Sequence, residues 1–305
     1  MDYDDSDGIV LHTVHSCATD AAEPIRGFDT SVYPDPQTNR RLKQLAGMLS
    51  DGMDLNWIGS YILDPDVATP VKSHLVTQDY CWGNPVYAYR NMTLQQPNHV
   101  EDLYWIFYGG WEELLPQYVK DLYADYPYRT LAVDEVLQAN RDGQPTTLCR
   151  VHVERHRNEQ GTLDLQLTTP DVYHFPAGHF ANSPQFVPRQ GSEQGTEGYL
   201  VCVVFADRPD GSSTSELWIF DTAHLSQGPQ YRLCSDRMTI GFTIHTTWIP
   251  EAVSPTDVQY NIREDYEPVV ADLVKRHQQS WFPGQRKVGQ DLRSLFDRIY
   301  QQFGQ

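Results

Sequence analysis

The chain has 305 residues, of which 40% are hydrophobic, 12% aromatic and 21% charged, as in an ordinary globular protein. Its 23 basic and 41 acidic residues give a formal net charge of -18, which argues against a nucleic acid as partner. No apolar run approaches the length of a membrane span, and the acidic N-terminus has no signal-peptide core. The five cysteines are scattered without any Cys-x-x-Cys spacing, which predicts reduced thiols in a cytoplasmic protein.

The first 124 residues mix strand and helix patterns. Residues 8–15 are predicted to form a strand that starts almost at Met1, and we interpret this abrupt start as the C-terminal part of a longer protein. Strands are also predicted over residues 52–63 and 71–91, with a short helical stretch before them at Arg40–Leu49. Apolar residues then recur at helical spacing, which predicts an inserted amphipathic helix over residues 98–124.

Strands dominate the second half until a helical tail. Two hairpins are predicted around the turn residues Asn158–Gly161 and Asp210–Ser213. Further strands are predicted over Tyr231–Cys234 and Met238–Trp248. Short strands joined by hairpins indicate a β-sandwich, barrel or propeller. After Asp265 two apolar stripes at helical spacing predict helices.

Two of the predicted strands carry histidines among β-branched and apolar residues. His245 lies in the run Gly241–Pro250, which we interpret as a buried strand, and His12 and His15 lie in the first strand. A buried histidine needs a hydrogen-bond partner or a metal. Because side chains alternate along a strand, His12 and His15 are expected to face opposite sides.

Four segments in the second half resemble the C-terminal region of the carotenoid cleavage oxygenases, the family that includes retinal-pigment-epithelium isomerohydrolase. The resemblance is strong over residues 173–250 and weaker over residues 8–20. The segments that carry it are Phe186-Val187-Pro188-Arg189, Glu197-Gly198-Tyr199-Leu200, Ser215-Glu216-Leu217-Trp218 and Phe242-Thr243-Ile244-His245-Thr246-Thr247-Trp248.

The resemblance implies a ligand set for Fe(II). The family's closing histidine ligand falls on His245 and another falls on His12, with His15 as the alternative. Ser183 stands where the family has a glutamate that supports a ligand. The family's other two ligands lie in Ala-His-Pro and His-Asp segments, and this sequence contains neither. His174 and His179 are the remaining metal alternatives, although a loop with polar side chains is the reading that we favour for them.

The predicted fold is all-β, a partial seven-bladed β-propeller formed by the C-terminal blades. Residues 1–252 are assigned to the propeller, with the helical insert at 98–124, and residues 253–305 to a helical extension. The resemblance implies a non-haem Fe(II) dioxygenase that cleaves a conjugated double bond of a carotenoid or apocarotenoid, with a stilbene as a further substrate class. Its partners would be the apolar polyene and O2, together with a missing N-terminal half.

Two alternatives remain open from the sequence. The chain is either an oxygenase or a non-catalytic propeller remnant that binds a partner, since only two of four family histidines are visible. The aromatic cluster Tyr104–Tyr108 is either a peripheral membrane contact or, as we favour, part of the packed interior.

Overall fold

We describe the chain from a computed structural model. The structure describes residues 2–4, 8–16, 24–64, 70–89, 100–192, 197–208, 210, 212–235, 237, 239–249, 251, 261–279 and 283–302. The chain divides into two compact units, Met1–Trp248 and Ile249–Gln305. Parts of the predicted strand at 71–91 and of the predicted insert at 98–124, as well as Met238 and Pro250, lie outside the described residues.

The first unit is mostly β and, over the described residues, contains three antiparallel sheets of four strands each. The strands of each sheet are consecutive in the chain, which is the meander that makes a propeller blade. This arrangement confirms the predicted β architecture in its general form, but a ring of seven blades is not confirmed. The first sheet contains β1 (Asp2–Asp4), β2 (Gly8–Ser16), β3 (Asn56–Leu63) and β4 (Pro70–Val76); the second contains β5 (Pro85–Tyr89), β6 (Asp102–Phe107), β7 (Thr147–Arg157) and β8 (Leu163–His174); the third contains β9 (His179–Pro188), β10 (Gly198–Asp207), β11 (Ser213–Asp221) and β12 (Tyr231–Leu233).

The two predicted hairpins are present as β7–β8 and β10–β11. In the first turn the Asn158 side chain accepts hydrogen bonds from the backbone N–H groups of Gln160 and Thr162. In the second, the Asp210 carboxylate accepts from the backbone and side chain of Ser212. Side chains that bond the nearby backbone favour turns over strands, which explains why these positions end the alternating pattern.

Large aromatic side chains fill the interior between the second and third sheets. Trp218, Phe220 and Phe186 are fully buried there, together with Tyr104 and Leu148 from the second sheet. A second cluster, which includes Val10, Ile58, Trp105 and Val151, joins the first and second sheets. The middle sheet is therefore covered on both faces, and this explains why its strand β6 lacks a polar alternation.

The predicted helical insert at 98–124 is wrong over its first half. Residues Asp102–Phe107 form β6, in which every residue is buried, and α2 covers only Gln117–Tyr123. In a strand buried on both faces, apolar and polar residues do not alternate. The apolar run of β6 was therefore taken as part of the helical spacing that follows it. Two more α-helices are described in this unit. α1 (Pro36–Gln44) overlaps the helical stretch predicted at Arg40–Leu49, whereas α3 (Val133–Asp142) was not predicted.

The aromatic cluster Tyr104–Tyr108 belongs to the interior. All five residues are buried, with exposures of 6% or less. The structure therefore supports the interior reading of this cluster and contradicts its reading as a membrane contact.

The predicted buried strand over Gly241–Pro250 is also wrong. The described part of this segment, residues 241–249, has no regular secondary structure, and His245 is exposed. Side chains of the third sheet hold the segment instead of a backbone ladder. The backbone N–H of Ile240 donates to the hydroxyl of Ser215 at 2.8 Å.

The second unit contains α4 (Ile262–Gln278) and α5 (Pro283–Gln302), so the predicted helical tail is present. Asn261 caps α4 by accepting hydrogen bonds from the backbone N–H groups of Arg263 and Glu264. Val270 and Tyr300 are buried between the helices, where Arg293 forms an ion pair with Glu267. Among the described residues, no helix is long and apolar enough to cross a membrane.

Candidate functional site

A cavity of about 680 Å³ lies in the first unit. Its size falls within the range of about 300–1,000 Å³ that is typical of small-molecule sites. Apolar side chains form most of the wall, and they come from distant parts of the chain: Met48 and Leu49, Val86, Leu103 and Trp105, and Phe242 and Ile244.

His12 lies in the wall of this cavity. It is carried by β2, and the neighbouring residues Thr13, Val14 and Ser16 also line the cavity. The Nδ1 atom of His12 lies 2.6 Å from the hydroxyl of Ser60, the residue directly opposite on β3. Ser60 is buried. A hydrogen bond on one ring nitrogen fixes the orientation of the imidazole, as is usual for a histidine that binds a metal through the other nitrogen.

His15 does not line the cavity. Its Nε2 atom lies 2.6 Å from the hydroxyl of Tyr61 and 3.1 Å from that of Thr13. The rings of His15 and Tyr61 also meet edge to face, with centroids 5.6 Å apart. Of the two histidines that the sequence leaves open, the structure therefore places His12, and not His15, at the cavity.

His245 is exposed and is not part of the cavity wall, whereas its neighbours Phe242 and Ile244 are. The structure thus does not bring His245 and His12 to one wall, and their convergence on a metal stays a prediction.

Ser183 forms hydrogen bonds with residues on both sides of His245. Its hydroxyl donates to the carbonyl of Thr243 and lies 2.7 Å from the Thr243 hydroxyl. The Thr246 hydroxyl in turn donates to the carbonyl of Ser183 at 3.2 Å. Ser183 is 1% exposed and has a φ of 50°, which a non-glycine residue rarely adopts. It lies at the irregularity of the β9–β10 ladder. The residue predicted to support His245 therefore does contact its segment.

The other metal alternatives lie away from the cavity wall. His174 ends β8 and is exposed, and His179 begins β9, where its Nδ1 lies 3.0 Å from the carbonyl of Ala177. In the part of the chain that the structure describes, no group of three or more His, Cys, Asp or Glu side chains could hold a metal ion. These donors therefore do not make up the four-histidine site that the resemblance implies.

Two polar residues of the wall, Asn84 and Tyr108, were not identified from the sequence. They lie opposite each other just beyond the β5–β6 pairing, where the backbone N–H of Tyr108 donates to the carbonyl of Asn84 at 3.2 Å. Tyr108 belongs to the aromatic cluster noted in the sequence, but its place in the wall follows from strand register, which the sequence does not show.

The family of retinal pigment epithelial membrane proteins, RPE65, matches residues 120–250 of this chain. The match confirms the predicted resemblance to the carotenoid oxygenases over this part of the chain. It includes Ser183 and His245, as well as Phe242 and Ile244 of the cavity wall. It does not extend to His12, Asn84 or Tyr108.

One curated relative is the carotenoid dioxygenase carX of Gibberella fujikuroi (strain CBS 195.34 / IMI 58289 / NRRL A-6831). It is 30% identical over 118 residues, which cover 36% of this chain and 16% of the relative. The match therefore spans about a sixth of the relative's length. A solved structure, the lignostilbene dioxygenase of Pseudomonas brassicacearum, has 10% sequence identity and a TM-score of 0.26, covering 70% of this chain and 50% of that one. A similarity this low carries no inference about function.

Proposed function

We propose that this chain is part of a non-haem Fe(II) dioxygenase that cleaves a conjugated carbon–carbon double bond. The observation that carries the proposal is the family match over residues 120–250, which ends on the segment that borders the cavity. Cleavage of an alkene by O2 gives two carbonyl compounds, each taking one oxygen atom. Carotenoids and apocarotenoids are the proposed substrates, and stilbenes are a further class.

The chain's own residues supply an apolar site for such a substrate. A cavity with apolar walls removes the surface of a polyene from water, at about 25 cal/mol for each Å² buried. Its shape would determine which double bond is held at a given place, and this kind of positioning accounts for much of enzymatic rate enhancement.

Iron in this family would supply a redox-active centre for O2. We propose His12 and His245 as two of its ligands, with Ser60 orienting the first and Ser183 the segment of the second. The donors among the described residues do not complete such a site, so we assign no reaction step to the metal.

The second candidate function is a non-catalytic scaffold that binds a partner. The absence of a cluster of three metal-binding side chains from the described part of the chain favours it. On this reading the cavity would bind a ligand without turnover.

The test is an assay for carbonyl products from a carotenoid under O2, with Fe(II) supplied in excess. We expect slow cleavage that is lost in His12→Ala and retained in the matched control His15→Ala. If the native chain forms no more product than His12→Ala, the oxygenase proposal fails and the scaffold reading takes its place.

A further inference from the structure

The two end sheets of the first unit each have a face that points away from the middle sheet. The two interior clusters lie between the first and second sheets and between the second and third sheets. Because side chains alternate across a strand, every second residue of the end sheets points the other way. An antiparallel sheet with one face in water normally carries polar residues on that face.

The outer face of the third sheet is apolar instead. Strand β11 sends alternate residues into the interior cluster, so Leu217 and Ile219 point outward and continue as rows of apolar residues across β10 and β12. The irregular segment 239–249 is bonded to Ser215 at one end of this face. Beyond it the face consists of Tyr199, Val201, Leu217, Ile219, Tyr231 and Leu233. All six are partly exposed, and Tyr231 is 61% exposed.

The outer face of the first sheet has the same character. A Cβ atom on Gly59 would lie 2.9 Å from Cδ2 of Leu75 and 3.0 Å from Cε2 of Tyr61, so these two side chains share one face of the sheet. The apolar side chains of this face are Ile9, Leu11, Trp57, Tyr61, Leu63 and Leu75. All six are partly exposed, and Leu75 is 43% exposed.

The two outer faces match each other in chemistry. Neither set of six contains a charged residue, although the chain has a formal net charge of -18. Depletion of charge from the centre of a surface is typical of protein interfaces, and exposed apolar patches mark such sites. Since the middle sheet packs a sheet against each of its faces, another sheet is the surface that covers a face in this fold.

We propose that two copies of this chain pack head to tail, with the outer face of the first sheet of each copy against the outer face of the third sheet of the other. Head-to-tail contacts form a ring when the rotation closes. Two copies give a ring of six sheets, within the range of about four to eight blades in β-propellers, whereas one copy has too few sheets and three copies have too many.

Closure also uses both faces of each copy at once. A stable interface has about 20–30 residues on each side, and one face of six apolar side chains with its surroundings is small by this measure. Two such contacts in one dimer double the buried surface. The closed dimer is therefore favoured over an open chain of copies, in which the end copies leave apolar faces in water.

The mass of the native 305-residue chain tests the proposal without iron or substrate. Sedimentation equilibrium should give twice the 35.0 kDa of one chain. A single-chain mass up to the highest soluble concentration would overturn the proposal, and it would leave the two faces to a different partner chain. A trimer or an open series of larger assemblies would also overturn it, because two copies would then not close.

Glutamate at one exposed position of each face tests which surfaces meet. Tyr231→Glu and Leu75→Glu each place an unpaired charge in both contacts of the dimer, so each should raise the dissociation constant at least about tenfold. Leu122→Glu is the matched control, because Leu122 is 61% exposed like Tyr231 but lies on α2, outside both faces. It should keep the native dissociation constant. Thermal unfolding checks that the variants fold, and Leu233→Glu replaces Tyr231→Glu if the latter does not.

Mixing the two variants separates the head-to-tail arrangement from one in which like faces meet. One contact of the mixed dimer joins two native faces, the third sheet of the Leu75→Glu copy and the first sheet of the Tyr231→Glu copy. The mixture should therefore form dimers at concentrations where each variant alone is a monomer. If either variant alone dimerises as the native chain does, or if the mixture dimerises no better than the variants separately, the head-to-tail proposal is wrong.

Discussion

Ser183 connects the third sheet to the segment that carries His245. Its side chain and carbonyl together form hydrogen bonds with Thr243 and Thr246, while its backbone adopts a left-handed conformation. Such a conformation costs a non-glycine residue about 1–2 kcal/mol, and the hydrogen bonds offset that cost. Together with Ser215, which accepts a hydrogen bond from Ile240, Ser183 thus holds the irregular segment on the sheet.

Replacement of Ser183 should separate these two contributions. Ser183→Ala removes the hydroxyl and keeps the unfavourable backbone, so we expect the free energy of unfolding to fall by about 1–2 kcal/mol. Ser183→Gly also removes the hydroxyl but relieves the backbone, and it should be at least as stable as the alanine variant. Urea unfolding gives the energies, and amide hydrogen exchange at Thr243–Thr246 should quicken in both. Unchanged exchange would show that Ser183 does not hold the segment.

Asp51 makes stability depend on pH. It is buried, its carboxylate accepts a hydrogen bond from the backbone N–H of Trp111, and burial raises its pKa from 3.8 to about 8. The folded chain therefore binds this proton more tightly than the unfolded chain. The stabilisation that protonated Asp51 gives the folded chain is fully present below about pH 4 and is lost as the pH rises through about 8.

Asp51→Asn should remove this dependence, because an amide can accept the same hydrogen bond without ionising. We expect a flatter profile of unfolding free energy between pH 5 and pH 8, measured by urea unfolding. Asp210→Asn is the control, since hydrogen bonds from Ser212 lower the pKa of exposed Asp210 and it stays ionised throughout. A profile as steep in Asp51→Asn as in the native chain would exclude Asp51 as the cause.

At the level of elements, the packing of β9 against β10 explains why a glycine occupies position 198 in the segment Glu197-Gly198-Tyr199-Leu200, which resembles the family pattern. A Cβ atom on Gly198 would lie 2.5 Å from the carbonyl oxygen of Val187 and 2.7 Å from Cζ of Phe186. Neither the backbone oxygen nor the buried ring can withdraw easily. The strand therefore needs glycine at this position for close packing.

Gly198→Ala should lower the free energy of unfolding by about 1–3 kcal/mol, the usual cost of overpacking a close contact. The matched control is Gly241→Ala, because a Cβ atom there would meet nothing within 4 Å. It should change stability by less than about 0.5 kcal/mol. Thermal or urea unfolding of both variants checks this, and equal stability of the two would contradict the packing account.

The elements that the sequence predicted correctly are those with local signals. The hairpins β7–β8 and β10–β11 combine alternating side chains with turn residues that bond their own backbone. β6 was missed because burial on both faces removes the alternation, and α3 has no local signal that we recognised. Residues 239–249 have the composition of a strand, but tertiary contacts to Ser183 and Ser215 take the place of a ladder.

At the scale of the whole molecule, the sequence predicted His12 and the His245 segment through the resemblance, but not the cavity between them. Asn84 and Tyr108 lie opposite each other in its wall because of the register in which β5 and β6 pair. The sequence of either strand alone does not show this register. The sequence pattern likewise could not predict that His245 is exposed, because an apolar run does not reveal which of its residues face the interior.

The central claim is that this chain supplies a substrate cavity and part of an iron site. Metal analysis of the purified 305-residue chain after incubation with Fe(II) and removal of unbound metal tests it most directly. We predict less than one iron per chain, bound weakly and further reduced in His12→Ala, because a site that lacks ligands or their supports loses affinity steeply. Tight iron at one equivalent would contradict the account, and it would place further ligands within this sequence, with His174 and His179 the first to be replaced.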